Sequence, residues 1–185
     1  MSIKQINATY QLQEDRILLR INTANQEEFD FLLTRRVTLF ILAASEHLVE
    51  KQLEQQHEPA TAKAVAQFEK TNLGNIPSGP EFEGGSTFPL GNAPILVLDV
   101  TCSIVQESLA EDSSAQEQLF SIDLVLGKDQ SINLKLPKPM LFGLRALLEQ
   151  ICDQASWGRA VLAQQAPEVS SATLVDVPGG SGTLH

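Results

Sequence analysis

Hydrophobic residues recur along this chain with two different periods, and the change of period predicts where strands give way to helices. Ile17, Leu19 and Ile21 occupy alternate positions, as do Phe29, Phe31 and Leu33. A period of two is that of a strand buried on one face. The short polar stretch from Thr23 to Glu27 joins the two triplets, so the segment reads as a β-hairpin. From Val37 the spacing lengthens: Val37, Ile41, Ala44 and Leu48 stand three or four apart, which puts them on one face of a helix running to about Gln56. Thr34 precedes that helix and can cap it by accepting a hydrogen bond from a first-turn amide.

The same pattern returns further along. Laying residue 14 over residue 117, an offset of 103, brings Ile17, Leu19 and Ile21 onto Phe120, Ile122 and Leu124 without a gap. Phe29, Phe31 and Leu33 fall on Ile132, Leu134 and Leu136, and Val37, Ile41, Ala44 and Leu48 fall on Met140, Leu144, Leu147 and Ile151. The second turn is Gly127-Lys128-Asp129-Gln130, Pro139 suits a first helical turn, and Gly158 after Trp157 suits a helix end. An extended segment precedes each hairpin: Ile6 to Leu12, and the longer Ile95 to Val105, where Leu96, Leu98, Val100, Cys102 and Ile104 share a face. The expectation is an α+β protein made of internally duplicated βββα units, antiparallel hairpins each followed by a packed helix, with pseudo-two-fold symmetry.

The intervening composition divides the chain further. Residues 1–73 form the first half, with an added short helix over Pro59 to Leu73 whose apolar side is Ala62, Val65, Ala66 and Leu73. Residues 74–93, rich in Gly and Pro, read as a linker or loop, with Phe82 and Phe88 expected to dock on the core or else on a partner. Residues 94–165 form the second half, with an acidic hairpin tip from Glu107 to Gln116. Residues 166–185 are a tail with one possible strand, Ala172 to Val177. All of this is one domain overall.

Composition narrows the function classes. The 185 residues are 43% hydrophobic and carry 13 basic against 23 acidic side chains, a formal charge of −10. Such a chain has the apolar mass for a core, and its acidity argues against wrapping duplex nucleic acid. Val37 to Ala44, apolar but for Thr38, is the longest such run and falls far short of the roughly 20 residues a bilayer span needs. The start, Met1-Ser2-Ile3-Lys4-Gln5, lacks the apolar core of a secretory signal, so the expected location is cytoplasmic, without a membrane partner. Cys102 and Cys152 both fall in apolar elements and read as reduced core thiols.

Spacing assembles no catalytic constellation. Among the histidines, His47 has Glu46 and Glu50 beside it, and Glu54 with His57 makes one Glu-x-x-His pair. A carboxylate-bridged di-metal site needs two such motifs, and Gln150 stands where a second copy of His47 would be. Nucleophile-elbow, P-loop and dinucleotide-binding glycine patterns are missing from the sequence. The expectation is therefore no catalytic residue, no metal and no cofactor. One local excess of positive charge stands out: Arg16, Arg20, Arg35 and Arg36. Arg16 and Arg20 alternate with the core residues of their strand and so point away from the core. They form a candidate binding stripe for phosphates or acidic segments, or else they pair with Glu14, Asp30 and the acidic surface.

The stretches Gln5–Tyr10, Glu14–Thr23 and Phe31–Arg36, together with the Trp157-Gly158 ending of the last helix, resemble a group of small uncharacterised proteobacterial proteins over most of the chain. That resemblance implies a bacterial cytoplasmic protein and carries no activity with it. A likeness in topology alone is to the Whirly and PUR-type single-strand nucleic-acid binders, which place four antiparallel strands before a helix where this chain has three. Those folds bind through positive charge and exposed aromatics, whereas this chain is acidic and 5% aromatic.

Two functional expectations result. The first is a non-enzymatic protein-interaction or self-assembling module, a homo-oligomer or the binder of another protein, working through its strand edges. The second is a single-strand nucleic-acid binder using the four arginines. An enzyme comes third, and would need residues near Glu46, His47 or Cys102 brought together only by folding.

Overall fold

In the computed structural model, which describes residues 2–54, 58–73, 81–108, 116–127 and 130–158, the chain is α+β, with two sheets and three helices. Strands β1 (Ile3–Gln11), β2 (Arg16–Thr23) and β3 (Glu28–Thr34) form an antiparallel meander, and α1 (Arg35–Glu54) follows it directly. α2 (Pro59–Leu73) occupies the predicted short-helix segment. β4 (Ile95–Leu96) pairs in parallel with β3, and β5 (Asp99–Ser108), β6 (Gln116–Gly127) and β7 (Gln130–Leu136) make a second antiparallel meander before α3 (Lys138–Gln154).

The alternating triplets are the two hairpin cores. Ile17 stands opposite Leu33, Leu19 opposite Phe31 and Ile21 opposite Phe29. At the offset read from the sequence, Phe120 stands opposite Leu136, Ile122 opposite Leu134 and Leu124 opposite Ile132. All of these are buried except the half-buried Ile132. A one-residue slip in either hairpin would turn the whole set to solvent, so burial sets the register. The helices begin as the sequence suggests: Thr34 Oγ1 accepts a hydrogen bond from Val37 N at 3.3 Å, and Pro139 lies in the first turn of α3. α3 ends at Gln154, slightly before the expected glycine, and the chain turns away through Ser156 and Gly158, both with positive φ.

The extended run predicted from Ile95 to Val105 is divided between two sheets. Val97 N donates to Leu32 O in the first sheet at 3.0 Å, and Leu98 N donates to Val125 O in the second at 2.8 Å. The alternation breaks at this crossing: Val97 and Val100 are buried, while Leu98, expected on the core face, is 48% exposed. Arg36 braces the junction, its Nη2 donating to Leu98 O at 2.6 Å and its Nη1 lying 3.6 Å from Asp99.

One continuous core spans both sheets and the helices. The packing is reciprocal: α1 lies against β5 of the second meander, α3 lies against β1 of the first, and the two helices touch each other and α2. Gln52 of α1 also donates to Gln118 of β6 at 2.5 Å. The segment predicted as a linker, in its described part, is bonded to the first sheet at several points, and Phe82 rests on the polar side of that sheet instead of in the core. Of the acidic tip expected from Glu107 to Gln116, Glu107 and Ser108 belong to β5 and Gln116 to β6, while 109–115, like His57 and the tail with its possible strand at 172–177, lie outside the described residues.

Candidate functional site

Two of the four arginines lie on β2 and two open α1, and each has a partner in the same chain. Arg16, opposite Thr34, lies at the end of β2 nearest the start of α1 and pairs with Glu14 at 3.6 Å. Arg20 lies four residues further along β2, about 13 Å away at the rise of a strand. Its Nη2 donates to Asn7 Oδ1 at 3.1 Å, its guanidinium sits 4.6 Å from the centre of the Phe82 ring, and it faces Asp30 across the hairpin. Arg35 Nη2 donates to Trp157 O at 2.6 Å, and Arg36 holds the junction between β4 and β5. Arg16 and Arg20 do share the outer face of β2, whereas Arg35 and Arg36 serve contacts between the two meanders.

Arg35 belongs to a cluster that the linear sequence does not reveal. Trp157, 3% exposed, donates its indole N–H to Asp15 Oδ1 at 2.7 Å, and Tyr10 donates its hydroxyl to the same oxygen at 2.7 Å. The Tyr10 and Trp157 rings meet edge to face at 5.8 Å. The hydrogen bonds from Tyr10 and Trp157, with the nearby Arg35 charge, hold the Asp15 carboxyl below its ordinary range. Tyr10 is shifted upward, chiefly because its hydroxyl donates to Asp15.

Arg145 marks a third locus, where α1, α2 and α3 meet. It is 4% exposed, with Nη2 at 3.7 Å from Glu149 and 3.9 Å from Glu46, and it lines a small cavity with Glu46, Val49, Glu50, Ala66 and Gln67. Its alkyl stem and flat guanidinium fill the helix junction while the carboxylates at the rim supply counter-charge. His47 lies on the exposed face of α1, and no group of three or more potential metal ligands occurs among the described residues. The two cysteines are free thiols. Burial, reinforced by neighbouring carboxylates, pushes both up to about 11, far from the depressed values of nucleophilic thiolates.

The fourth feature is the outer edge of β5. Its ten residues pair with β6 through an unbroken register from Asp99–Val125 to Ser108–Gln116, and among the described residues β6 is its one neighbour in the sheet. Edge strands are ordinarily guarded by lysine, proline or a bulge. β1 has Lys4 and an irregularity between Ile3 and Gln5, and β7 has Lys135 with Pro137 just beyond it. From Val100 to Gln106 β5 has no charge, no proline and no bulge, and the side chains of Cys102, Ile104 and Val105 are half-buried. No family model, no curated protein and no solved structure matches the chain.

Proposed function

We propose that the protein is a non-enzymatic interaction module that assembles by adding a strand to the outer edge of β5, with a second copy of the same chain as the first partner to test. The observation that carries this reading is the uninterrupted edge of β5, uncharged over the seven residues from Val100 to Gln106, where the edge strands β1 and β7 carry guards. An unpaired row of backbone donors and acceptors is a template for another strand. The neutral stretch matters here because two copies of a chain with charge −10 repel each other, and contact is least costly where neither brings charge.

We further infer that the module consists of two βββα copies related by a pseudo-two-fold. The coincident hairpin registers at an offset of 103 and the reciprocal packing of α1 on β5 and α3 on β1 support this. The test is the native mass of the protein and of a Thr101→Lys/Ser103→Lys variant, whose new charges flank the β5 edge. Dimer in the parent and monomer in the variant is the expected outcome. A parent that stays monomeric, or a variant that assembles equally well, refutes pairing through β5.

A further inference from the structure

The described part of the Gly/Pro-rich segment, Glu81 to Phe88, forms a strap across the face of the first sheet that points away from the core. Lys4 Nζ reaches Glu83 at 2.7 Å, Asn22 Nδ2 donates to Glu83 O at 2.7 Å, and Gln5 Oε1 accepts from Glu83 N at 3.0 Å. The strap ends at the edge of the sheet, where Ser86 N donates to Gln26 O at 2.8 Å and Glu28 N to Thr87 O at 2.8 Å. Between these anchors Gly85 N donates to Glu28 Oε2 at 2.6 Å. A side chain at Gly85 would not fit: its Cβ would stand 2.7 Å from Glu28 Cβ and 2.8 Å from Gln26 O.

Beneath the strap the polar groups are crowded and incompletely satisfied. Glu28 is 5% exposed, and Asp30, two residues on and so on the same side of β3, makes hydrogen-bonding contact with it. Buried Asp30 Oδ1, Asn22 Oδ1 and Arg20 Nε make no hydrogen bond. Arg20 faces Asp30 across the hairpin but directs its Nη2 to Asn7, so the carboxyl pair lacks a bonded cation. Two carboxylates in contact offer four acceptors and no donor, whereas a proton held on Asp30 supplies the missing donor.

We propose that the strap is a proton-gated cover, held closed over the outer face of the first sheet while Asp30 keeps a proton that it donates to Glu28, and loosened when Asp30 gives that proton up. The charged groups that bear on the pair are Arg20 from β2 and, on the strap side, Glu83, which is itself bound to Lys4. β1 presents the neutral Asn7 through Arg20, and β4 adds Ile95 and Leu96, both uncharged. Loosening exposes Arg20 and the aromatic ring of Phe82, a guanidinium and aromatic pair on that face. The direction follows from the chemistry of Asp30. Burial and the Glu28 carboxyl raise it above 3.8, so the stability it lends the closed strap is full below that value and is lost as pH rises through its folded-state value.

The test is amide hydrogen exchange on the full chain from about pH 4 to about pH 8, the range in which a perturbed carboxyl titrates. Protection of Gly85, Ser86 and Thr87, corrected for intrinsic exchange and referred to the amides of central strand β6, should fall several-fold as pH rises and then level off. Asp30→Asn, which supplies an uncharged donor to Glu28, should keep the strap protected at every pH. Strap protection that is independent of pH in the parent overturns the proposal, as does an equal fall in Asp30→Asn. The parent profile stands alone if the variant does not fold.

Discussion

Trp157, just past the end of α3, donates its indole N–H to the carboxylate of Asp15 in the turn between β1 and β2, joining residues 142 positions apart at 2.7 Å. With Arg35 holding Trp157 O from the start of α1, this cluster ties the end of the second meander's helix to the first meander. It is a closure of the fold and accounts for the depth at which the chain's single tryptophan is buried.

Truncating Trp157 should therefore loosen both halves together. Trp157→Ala is expected to destabilise the protein by about 3–5 kcal/mol, the usual cost of emptying a buried aromatic site. Trp157→Phe, which keeps an aromatic ring against Tyr10 but loses the donor, should cost less. Chemical denaturation followed by circular dichroism checks the order; equal stability of the alanine variant and the parent would remove the cluster from the account.

The same cluster sets an acid limit. Hydrogen bonds from Tyr10 and Trp157 depress Asp15 below 3.8, so its contribution is present above that value and is lost as pH falls through the folded-state value. Tyr10 runs the other way: raised above 10.0 mainly by its bond to Asp15, it stabilises below 10.0 and ceases to do so as pH rises through its folded-state value. Tryptophan fluorescence against pH should show an acid transition that is weakened in Asp15→Asn. An unaltered transition in that variant would assign it to other carboxyls.

Gly85→Ala should lift the strap, because the new Cβ overlaps backbone atoms of Gln26 and Glu28 that cannot move aside. The expected loss is about 1–3 kcal/mol, typical of an overpacked site, with increased cleavage by protease near Glu83. Gly84→Ala meets only the far end of the Glu28 side chain, at 3.2 Å, and should be milder. Reversal of that order would show that the strap is not held against the sheet at Gly85.

Arg145 should matter more for its volume than for its charge. Glu46 and Glu149 are partly exposed and can be solvated when the guanidinium is removed, so Arg145→Ala is expected to cost about 1–3 kcal/mol and Arg145→Met about half as much. Thermal denaturation distinguishes the two; equal losses would mean that the ion pairs dominate.

Much of this architecture was legible because burial imposes a period. The triplets from Ile17 and Phe29 and their counterparts at 103 positions further on are paired as their alternation requires, and Thr34 caps α1 as its position before the helix suggested. Local rules do not extend to contacts between distant segments. The division of Ile95 to Val105 between two sheets depends on Leu32 and Val125, neither of which is near it in sequence. The glycines of the strap read as linker because their reason, close approach to Glu28, lies 57 residues away at Gly85. The partners of Arg35 and Arg36, Trp157 O and Leu98 O, were not legible because they are remote in the chain.

The central claim, assembly through the edge of β5, is tested most directly by the native mass of the purified protein across a range of concentrations, with the Thr101→Lys/Ser103→Lys variant alongside. The account predicts twice 20.2 kDa for the parent at the higher concentrations and 20.2 kDa for the variant throughout. A parent that remains at 20.2 kDa at every concentration, or a variant that dimerises as the parent does, would contradict it.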